Sequence, residues 1–226
     1  MLLHVEVPEL KIKIWTPEAL KDLPRMVLIA DRFSVRDVAY NAVRAVQAGV
    51  KWVHLRDHTI SKKEFWEIGR VVVGRLRRAD EDVLISINLH ADFAAEWYCG
   101  VHVGAHGPAV SEVKGMDGIN GPVGYSAHSL DVARAAFDAG ADYVFYSPIF
   151  PTNSKPDHPG EGVDALRDVC TALAPRRVYA LGGLRPERVK RCIQAGASGI
   201  ATASTIANAD DPKAAAHAFL TELKEV

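Results

Sequence analysis

The amino-acid sequence predicts a (β/α)₈ barrel, and three observations support this fold class. A helix that ends in Ala-Gly and is followed by a short apolar run recurs at 47–49, 138–140 and 194–196. Glycine just past a helix provides a left-handed cap, and short apolar runs are typical of strands buried on both faces. Eight such strand candidates alternate with helical patterns along 226 residues. No G-x-G-x-x-G motif follows the first strand, which weakens the alternative of an open, doubly wound sheet.

The predicted strands share a short run of β-branched, aromatic or other apolar residues. In chain order they are Val27–Ala30, Trp52–Arg56, Val83–Asn88, Val101–Gly104, Val123–Ser126, Tyr143–Tyr146, Val178–Leu181 and Gly199–Ala201. The segments between them carry apolar residues at helical spacing. This spacing predicts helices over Arg36–Ala48, Lys62–Arg78, Ser129–Ala139, Gly162–Leu173, Pro186–Ala195 and Asp211–Lys224, with a short helix opened by Ser204.

The predicted domain organisation is simple. Residues 25–226 form a single barrel domain, and residues 1–24 precede it as an N-terminal extension that plugs the barrel or forms an interface. Hydrophobic residues make up 48% of the chain and charged residues 24%, which favours a globular domain over a disordered chain.

Charge and cysteine content exclude several classes of partner. The formal net charge is −1, so we expect neither nucleic acid nor a membrane surface as a partner. No apolar run approaches about 20 residues, and charges interrupt the N-terminus, so neither a transmembrane helix nor a signal peptide is expected. The three cysteines form no CxxC pair, which favours buried thiols in a reducing cytoplasm. The sequence leaves a homodimer open.

The most informative stretch is 142–155, where a predicted strand leads into a loop of hydroxyl, amide and amine side chains. Thr152, Ser154 and Lys155 follow this strand directly. In a (β/α)₈ barrel, functional residues lie at the carboxyl ends of the strands. Side chains of these kinds suit an anionic ligand, above all a phosphate, although an ordinary solvated loop has the same composition.

Two further strand exits predict a phosphate site. Gly182 and Gly183 form a turn without side chains, so backbone N–H groups can approach an anion closely. Ser204 opens a short helix whose N-terminus favours negative charge. The loops after strands seven and eight are a common phosphate site in barrels, although the glycines are also compatible with a plain tight turn.

Seven phrases of the chain together resemble one known family. They are HLRDHT, NLHADFA, GVHVG, GYSAHS, ADYVFYSPIFPTNSKP, ALGGLRPE and GIATASTI. Each phrase is weak alone, but their order and spacing resemble the thiamine phosphate synthase/TenI superfamily over nearly all of residues 26–224. The resemblance implies a cytosolic barrel enzyme of vitamin B1 synthesis that binds a thiazole phosphate.

This superfamily holds two activities, and the chain departs from the pattern of one. The synthase joins hydroxymethylpyrimidine pyrophosphate to thiazole phosphate and usually holds Mg²⁺ with aspartates after strands three and four. Here Leu89 and Gly107 stand at those positions, and neither can bind Mg²⁺, which prefers carboxylate and phosphate oxygens. His58 stands where a lysine is usual. We therefore expect no metal and no cofactor.

The other activity is that of the TenI-type thiazole tautomerases, which aromatise a carboxythiazole phosphate by moving a proton without a metal. The catalytic histidine of that family corresponds to His128, and histidine suits proton transfer near neutral pH. A histidine here also has simpler roles, as a helix cap or as a partner of a backbone carbonyl. The tautomerase is the main prediction. A synthase with an atypical metal site and a non-catalytic regulator that binds thiazole phosphate or thiamin phosphate are the alternatives.

The resulting prediction of the site gives ten residues a role. They are His128 and Arg56 as catalytic residues, Asn88, Ser126, Thr152, Ser154 and Lys155 as substrate-binding residues, and Gly182, Gly183 and Ser204 as phosphate-binding residues. Further histidines are expected at the same rim, with spacing that does not support a zinc site: His54, His58, His90 and His106. His102 lies within a predicted strand and is expected to pack inside the barrel.

Overall fold

The computed structural model describes residues 12–16 and 18–226, and its eight strands close into one barrel. The strands are β1 Met26–Asp31, β2 Trp52–Arg56, β3 Leu84–Asn88, β4 Gly100–Val103, β5 Val123–Ala127, β6 Tyr143–Tyr146, β7 Arg177–Leu181 and β8 Gly199–Thr202. Each strand pairs in parallel with the next, and β8 pairs with β1. The predicted (β/α)₈ barrel is therefore confirmed, and no strand bound differs from the prediction by more than one residue.

The helices surround the barrel. They are α1 Arg36–Gln47, α2 Lys62–Ala79, α3 Ala91–Glu96, α4 Val110–Lys114, α5 Leu130–Asp138, α6 Gly162–Leu173, α7 Val189–Gln194, α8 Ser204–Ala207 and α9 Pro212–Lys224, with 3₁₀ turns at Ala19–Lys21 and Pro186–Arg188. The sequence did not predict α3 and α4, because six and five residues are too few to show a helical period. The helix predicted over Pro186–Ala195 divides into a 3₁₀ turn and α7.

The barrel interior is a compact aromatic and aliphatic core. Alternate side chains along each strand of a barrel point inward, and residues of β1, β2, β6 and β7 meet at its centre. The Trp52 ring contacts Tyr143 edge to face with centroids 4.8 Å apart, and Tyr179 at 5.5 Å. A second, larger hydrophobic layer lies between the strands and the helices. The two layers pack both faces of the strands, so they hold the residues at the strand ends in fixed positions.

The described part of the N-terminal extension covers the amino-terminal end of the barrel. Asn120 holds it in place: its Oδ1 accepts from the Trp15 N–H at 2.8 Å, and its Nδ2 donates to the Lys13 carbonyl at 2.8 Å. The Tyr179 hydroxyl donates to the Pro24 carbonyl at 3.0 Å. Residues 1–11 and 17 of the predicted extension lie outside the described residues. The division into an extension and a barrel domain stays a prediction.

Long apolar helices are not found in the described ranges 12–16 and 18–226. Within them, no helix has both the length and the apolar character needed to cross a bilayer.

Candidate functional site

A cleft of about 810 Å³ opens at the carboxyl ends of the strands. All ten residues that the sequence predicted for the site line this cleft, namely Arg56, Asn88, Ser126, His128, Thr152, Ser154, Lys155, Gly182, Gly183 and Ser204. Barrel closure brings them together from the carboxyl ends of six different strands. The structure therefore gives them a common location, while their individual roles stay predictions.

His128 directly follows β5 and has a defined tautomer. Its Nδ1 lies 2.6 Å from the backbone carbonyl oxygen of Ser147. Since a carbonyl oxygen only accepts hydrogen bonds, Nδ1 carries the proton and the neutral ring keeps a lone pair on Nε2. The following helix α5 is capped by the Ser129 side chain, so His128 is not its cap. One bond to a carbonyl thus leaves His128 with a nitrogen that can take up a proton.

Arg56 ends β2 and is held by two neighbours. Its Nη1 donates to Asp31 Oδ1 at 3.0 Å, and its Nε donates to His58 Nε2 at 3.0 Å. Burial and, after it, the Arg56 charge lower the pKa of His58. His58 is therefore a neutral hydrogen-bond acceptor near pH 7, and it adds no positive charge at the position where the family usually has lysine.

The cleft is electropositive. Its lining includes five basic side chains, namely Arg32, Arg56, Lys155, Arg185 and Arg188. Among the described residues, Asp31 is the one carboxylate in that lining, and it is already paired with Arg56. The sequence patterns gave no role to Arg32, nor to Arg185 and Arg188, which follow the Gly182–Gly183 turn. This charge imbalance suits an anionic ligand.

The turn at Gly182 and Gly183 needs glycine for a reason that the sequence did not reveal. Both residues have positive φ, +99° and +62°. A Cβ on Gly182 would lie 2.7 Å from Pro148 Cα, and a Cβ on Gly183 would lie 2.5 Å from the Pro151 carbonyl oxygen. The turn therefore packs directly against the backbone of the loop after β6. The Gly183 carbonyl also accepts from Arg188 Nη1, whose guanidinium lies 4.6 Å above the Phe150 ring.

Helix α8 places Ser204 at the rim of the cleft, as predicted. The Thr205 hydroxyl donates to the Leu184 carbonyl at 3.0 Å, which ties α8 to the turn after β7. Asn41 of α1 donates to the carbonyl oxygens of Ala207 and Ala209, both at 3.0 Å. These bonds fix Ser204 relative to Gly183.

The loop after β6 closes one side of the cleft with a tight turn. The Lys155 N–H donates to the Thr152 carbonyl at 3.0 Å, and the two residues form an isolated antiparallel bridge. Ser154 and Lys155 are exposed in this turn, so both are accessible to a ligand.

In a synthase, aspartates at positions 89 and 107 would bind the metal. Here Leu89 and Gly107 stand at these positions, and hydrocarbon lies between them. A Cβ on Gly107 would lie 2.8 Å from Leu89 Cδ2, so the leucine side chain fills the space above this glycine. Leu89 has φ +65°, a left-handed conformation that Asp and Asn adopt more readily than Leu. Hydrocarbon therefore occupies the place where Mg²⁺ would need carboxylate oxygens.

Nearby carboxylates already have other partners. Asp92 forms an ion pair with Lys62 at 2.8 Å. Burial alone would raise the pKa of Asp57, but hydrogen bonds from Ser34 and Thr59 outweigh it and lower that pKa. In the described ranges, no group of three His, Cys, Asp or Glu side chains is arranged to hold a metal ion. The residues present do not fit the Mg²⁺ site of a synthase.

Two of the histidines expected at the rim, His54 and His90, have different surroundings. His54 is 1% exposed and lies inside the barrel, and burial lowers its pKa to about 3. His90 packs against Phe65 and Phe93, with centroids 4.6 Å and 5.1 Å away, on the helical side. His54 nevertheless lines the cleft from within the barrel, whereas His90 is not among the residues that line it. His102 is 2% exposed within β4, as the sequence predicted.

This fold and this cleft define a class, the β/α barrels that bind small anionic ligands at the carboxyl ends of their strands. Within that class, the chain belongs to the thiamine monophosphate synthase family (TMP-TENI), which matches residues 26–206. The chain is 38% identical to the thiamine-phosphate synthase of Shouchella clausii over 84% of this chain and 90% of that protein. It is 34% identical to the thiamine-phosphate synthase of Natronomonas pharaonis, over 83% and 88% respectively.

Solved structures agree on the fold. The thiamine phosphate pyrophosphorylase from Pyrococcus furiosus superposes with a TM-score of 0.78 at 24% identity, covering 89% of this chain and 96% of that one. The (S)-3-O-geranylgeranylglyceryl phosphate synthase from Thermoplasma acidophilum has a TM-score of 0.61 at 18% identity, covering 92% and 96%. The family model and the sequence relatives, rather than these structures, place the chain in thiamine biosynthesis. The names of the two sequence relatives match the synthase, the alternative activity in the sequence analysis, rather than the tautomerase.

Proposed function

We propose that this protein aromatises a carboxythiazole phosphate by proton transfer, without a metal. The observation that carries the proposal is the contact between Leu89 and Gly107. A synthase must neutralise a departing pyrophosphate, and hydrocarbon stands where its Mg²⁺ ligands would be. An isomerisation that only moves a proton has no such requirement.

His128 has the chemistry that this reaction needs. Its Nδ1–H bond to the Ser147 carbonyl leaves Nε2 as the nitrogen that accepts a proton from the ring carbon. The same carbonyl stabilises the imidazolium that results, because it keeps accepting from Nδ1. The protonated Nε2 then returns the proton to another atom of the substrate. Arg56, which Asp31 and His58 orient, supplies a fixed positive charge beside this path.

The two anionic groups of such a substrate have separate partners in the proposal. The phosphate binds between Gly183 and Ser204, with Thr152 and Ser154 at its side. Backbone N–H groups and the start of α8 favour an anion at this place. Lys155 and Arg56 lie toward the substrate carboxylate. The five basic side chains of the lining support a ligand with more than one negative charge.

Synthase activity is the second candidate, and the names of relatives at 38% and 34% identity favour it. In that case the basic lining would hold the pyrophosphate of hydroxymethylpyrimidine pyrophosphate. This reaction would require charge neutralisation by groups other than carboxylates at positions 89 and 107.

The test compares aromatisation of carboxythiazole phosphate by the wild type, His128→Asn and His217→Asn. His217 is exposed on α9, so it is a matched control that loses a histidine outside the cleft. His128→Asn should lower the rate on the order of 10²–10⁴-fold while leaving phosphate-ligand binding nearly intact, because general acid–base groups contribute factors of this size. A His128→Asn rate equal to that of the control would remove His128 from the mechanism.

A further inference from the structure

A line of hydrogen-bonding side chains lies under the floor of the cleft, inside the barrel. The Trp52 indole N–H donates to Ser86 Oγ at 3.0 Å. The Tyr143 hydroxyl lies 3.0 Å from His102 Nδ1, and His102 Nε2 lies 2.9 Å from Ser126 Oγ. Of these residues, His102 and Ser126 reach the cleft lining, and Trp52, Ser86 and Tyr143 lie below it. The line therefore joins the barrel core to a predicted substrate-binding hydroxyl.

The protonation states of these groups are restricted by burial. Burial raises the pKa of Tyr143 well above its ordinary value, so the phenol keeps its hydrogen. Burial lowers the pKa of His102 well below its ordinary value, and the neighbouring His54 and Arg56 act in the same direction. His102 is therefore a neutral imidazole, with one nitrogen that donates and one that accepts.

The direction of the hydrogen bonds follows from which groups must donate. Trp52 is a donor only and donates to Ser86 Oγ, and the Ser86 hydroxyl lies 3.0 Å from His54 Nδ1, so Ser86 has partners other than the Tyr143 phenol. The buried phenol hydrogen then needs an acceptor, and His102 Nδ1 lies at hydrogen-bonding distance. If Nδ1 accepts from Tyr143, the imidazole hydrogen is on Nε2 and points at Ser126 Oγ.

We propose that His102 is a positioning residue that donates from Nε2 to Ser126, so that the Ser126 hydroxyl hydrogen is directed into the cleft. Ser126 is then a fixed hydrogen-bond donor rather than a group that either donates or accepts. Such a donor selects a ligand atom with a lone pair, such as a ring nitrogen, a carboxylate oxygen or a phosphate oxygen. The identity of that ligand rests on the proposed function, whereas the tautomer of His102 does not.

The first test reads the tautomer directly and needs no substrate. Protein with ¹⁵N-labelled histidine is observed by NMR at neutral pH, with His102→Gln used to assign the His102 signals. The expected result is one neutral ring with its hydrogen on Nε2. Tyr143→Phe should abolish this preference, because the variant removes only the hydroxyl that donates to Nδ1. A hydrogen on Nδ1, or a positively charged ring, would overturn the proposal.

Tyr179→Phe is the matched control for Tyr143→Phe. Both tyrosines are buried in the same core cluster, but the Tyr179 hydroxyl donates to the Pro24 carbonyl, away from His102. The His102 signals should be those of the wild type in Tyr179→Phe. Equal changes in both variants would mean that the tautomer responds to core packing, which contradicts the proposal.

The second test asks whether the hydrogen bonds from Tyr143 through His102 affect the reaction by orienting Ser126. With carboxythiazole phosphate as substrate, Tyr143→Phe should raise KM or lower kcat/KM about five- to tenfold, the value of one well-placed hydrogen bond, and Tyr179→Phe should not. In a Ser126→Ala background, Tyr143→Phe should have no further effect, because the hydroxyl it orients is gone. Additive effects of the two substitutions would refute the positioning role. If the wild type does not turn this substrate over, the proposed function fails, and the NMR result still decides the tautomer.

Discussion

At the scale of single residues, the buried histidines set the response of this protein to acid. His54 keeps a pKa of about 3 in the folded chain, against an ordinary value of 6.5. Between these two pH values the unfolded chain binds a proton that the native state does not. Native stability must therefore fall as the pH is lowered through this window. His102, with its lowered pKa, acts in the same direction.

This linkage gives a prediction for His54→Gln. The wild-type free energy of unfolding, measured by urea denaturation at pH 5, 6 and 7, should decrease toward acid pH. In His54→Gln the slope should be shallower by up to about 1.4 kcal/mol per pH unit, the value of one proton. His217→Gln, at an exposed position on α9, should keep the wild-type slope. Parallel slopes in all three proteins would contradict a neutral, buried His54.

At the scale of elements, the turn after β7 and the loop after β6 form one unit. Gly182 and Gly183 lie against Pro148 and Pro151, so the two loops cannot move apart independently. The sequence predicted the glycines from the space that an anion needs. The structure adds that a side chain at Gly183 would displace the loop that carries Thr152 and Lys155.

Gly183→Val should therefore damage both stability and binding. Its Cβ would lie 2.5 Å from the Pro151 carbonyl oxygen, at a φ of +62°. We expect about 1–3 kcal/mol of destabilisation from this strain. The affinity for a phosphate ligand, measured by calorimetry, should fall more than in Lys155→Ala, where loss of one exposed charge costs about 0.2–1 kcal/mol.

The control for this substitution is Gly74→Val on α2. A Cβ at Gly74 would meet no atom within 4 Å, so its phosphate affinity should stay at the wild-type value. An affinity in Gly183→Val as high as in Lys155→Ala would place the phosphate elsewhere on the rim.

At the scale of the whole molecule, the sequence predicted the barrel and ten of the residues that line the cleft, because both follow from local patterns. Buried strands appear as short apolar runs, and closure of a barrel brings every strand exit to one end. The contact between Leu89 and Gly107 joins two different exits, so no local pattern reveals it. The directions of Arg185 and Arg188 also depend on tertiary packing, here on the Gly183 carbonyl and the Phe150 ring.

The central claim concerns the whole cleft, namely that it moves a proton and does not use Mg²⁺ to release pyrophosphate. The most direct measurement gives one protein sample both candidate substrates, first with EDTA and then with added Mg²⁺. One assay follows aromatisation of carboxythiazole phosphate. The other follows release of pyrophosphate from hydroxymethylpyrimidine pyrophosphate with thiazole phosphate. We predict that aromatisation is as fast with EDTA as with added Mg²⁺, and that pyrophosphate is not released at a comparable rate under either condition. Magnesium-dependent release of pyrophosphate, without aromatisation, would contradict the account and identify a synthase.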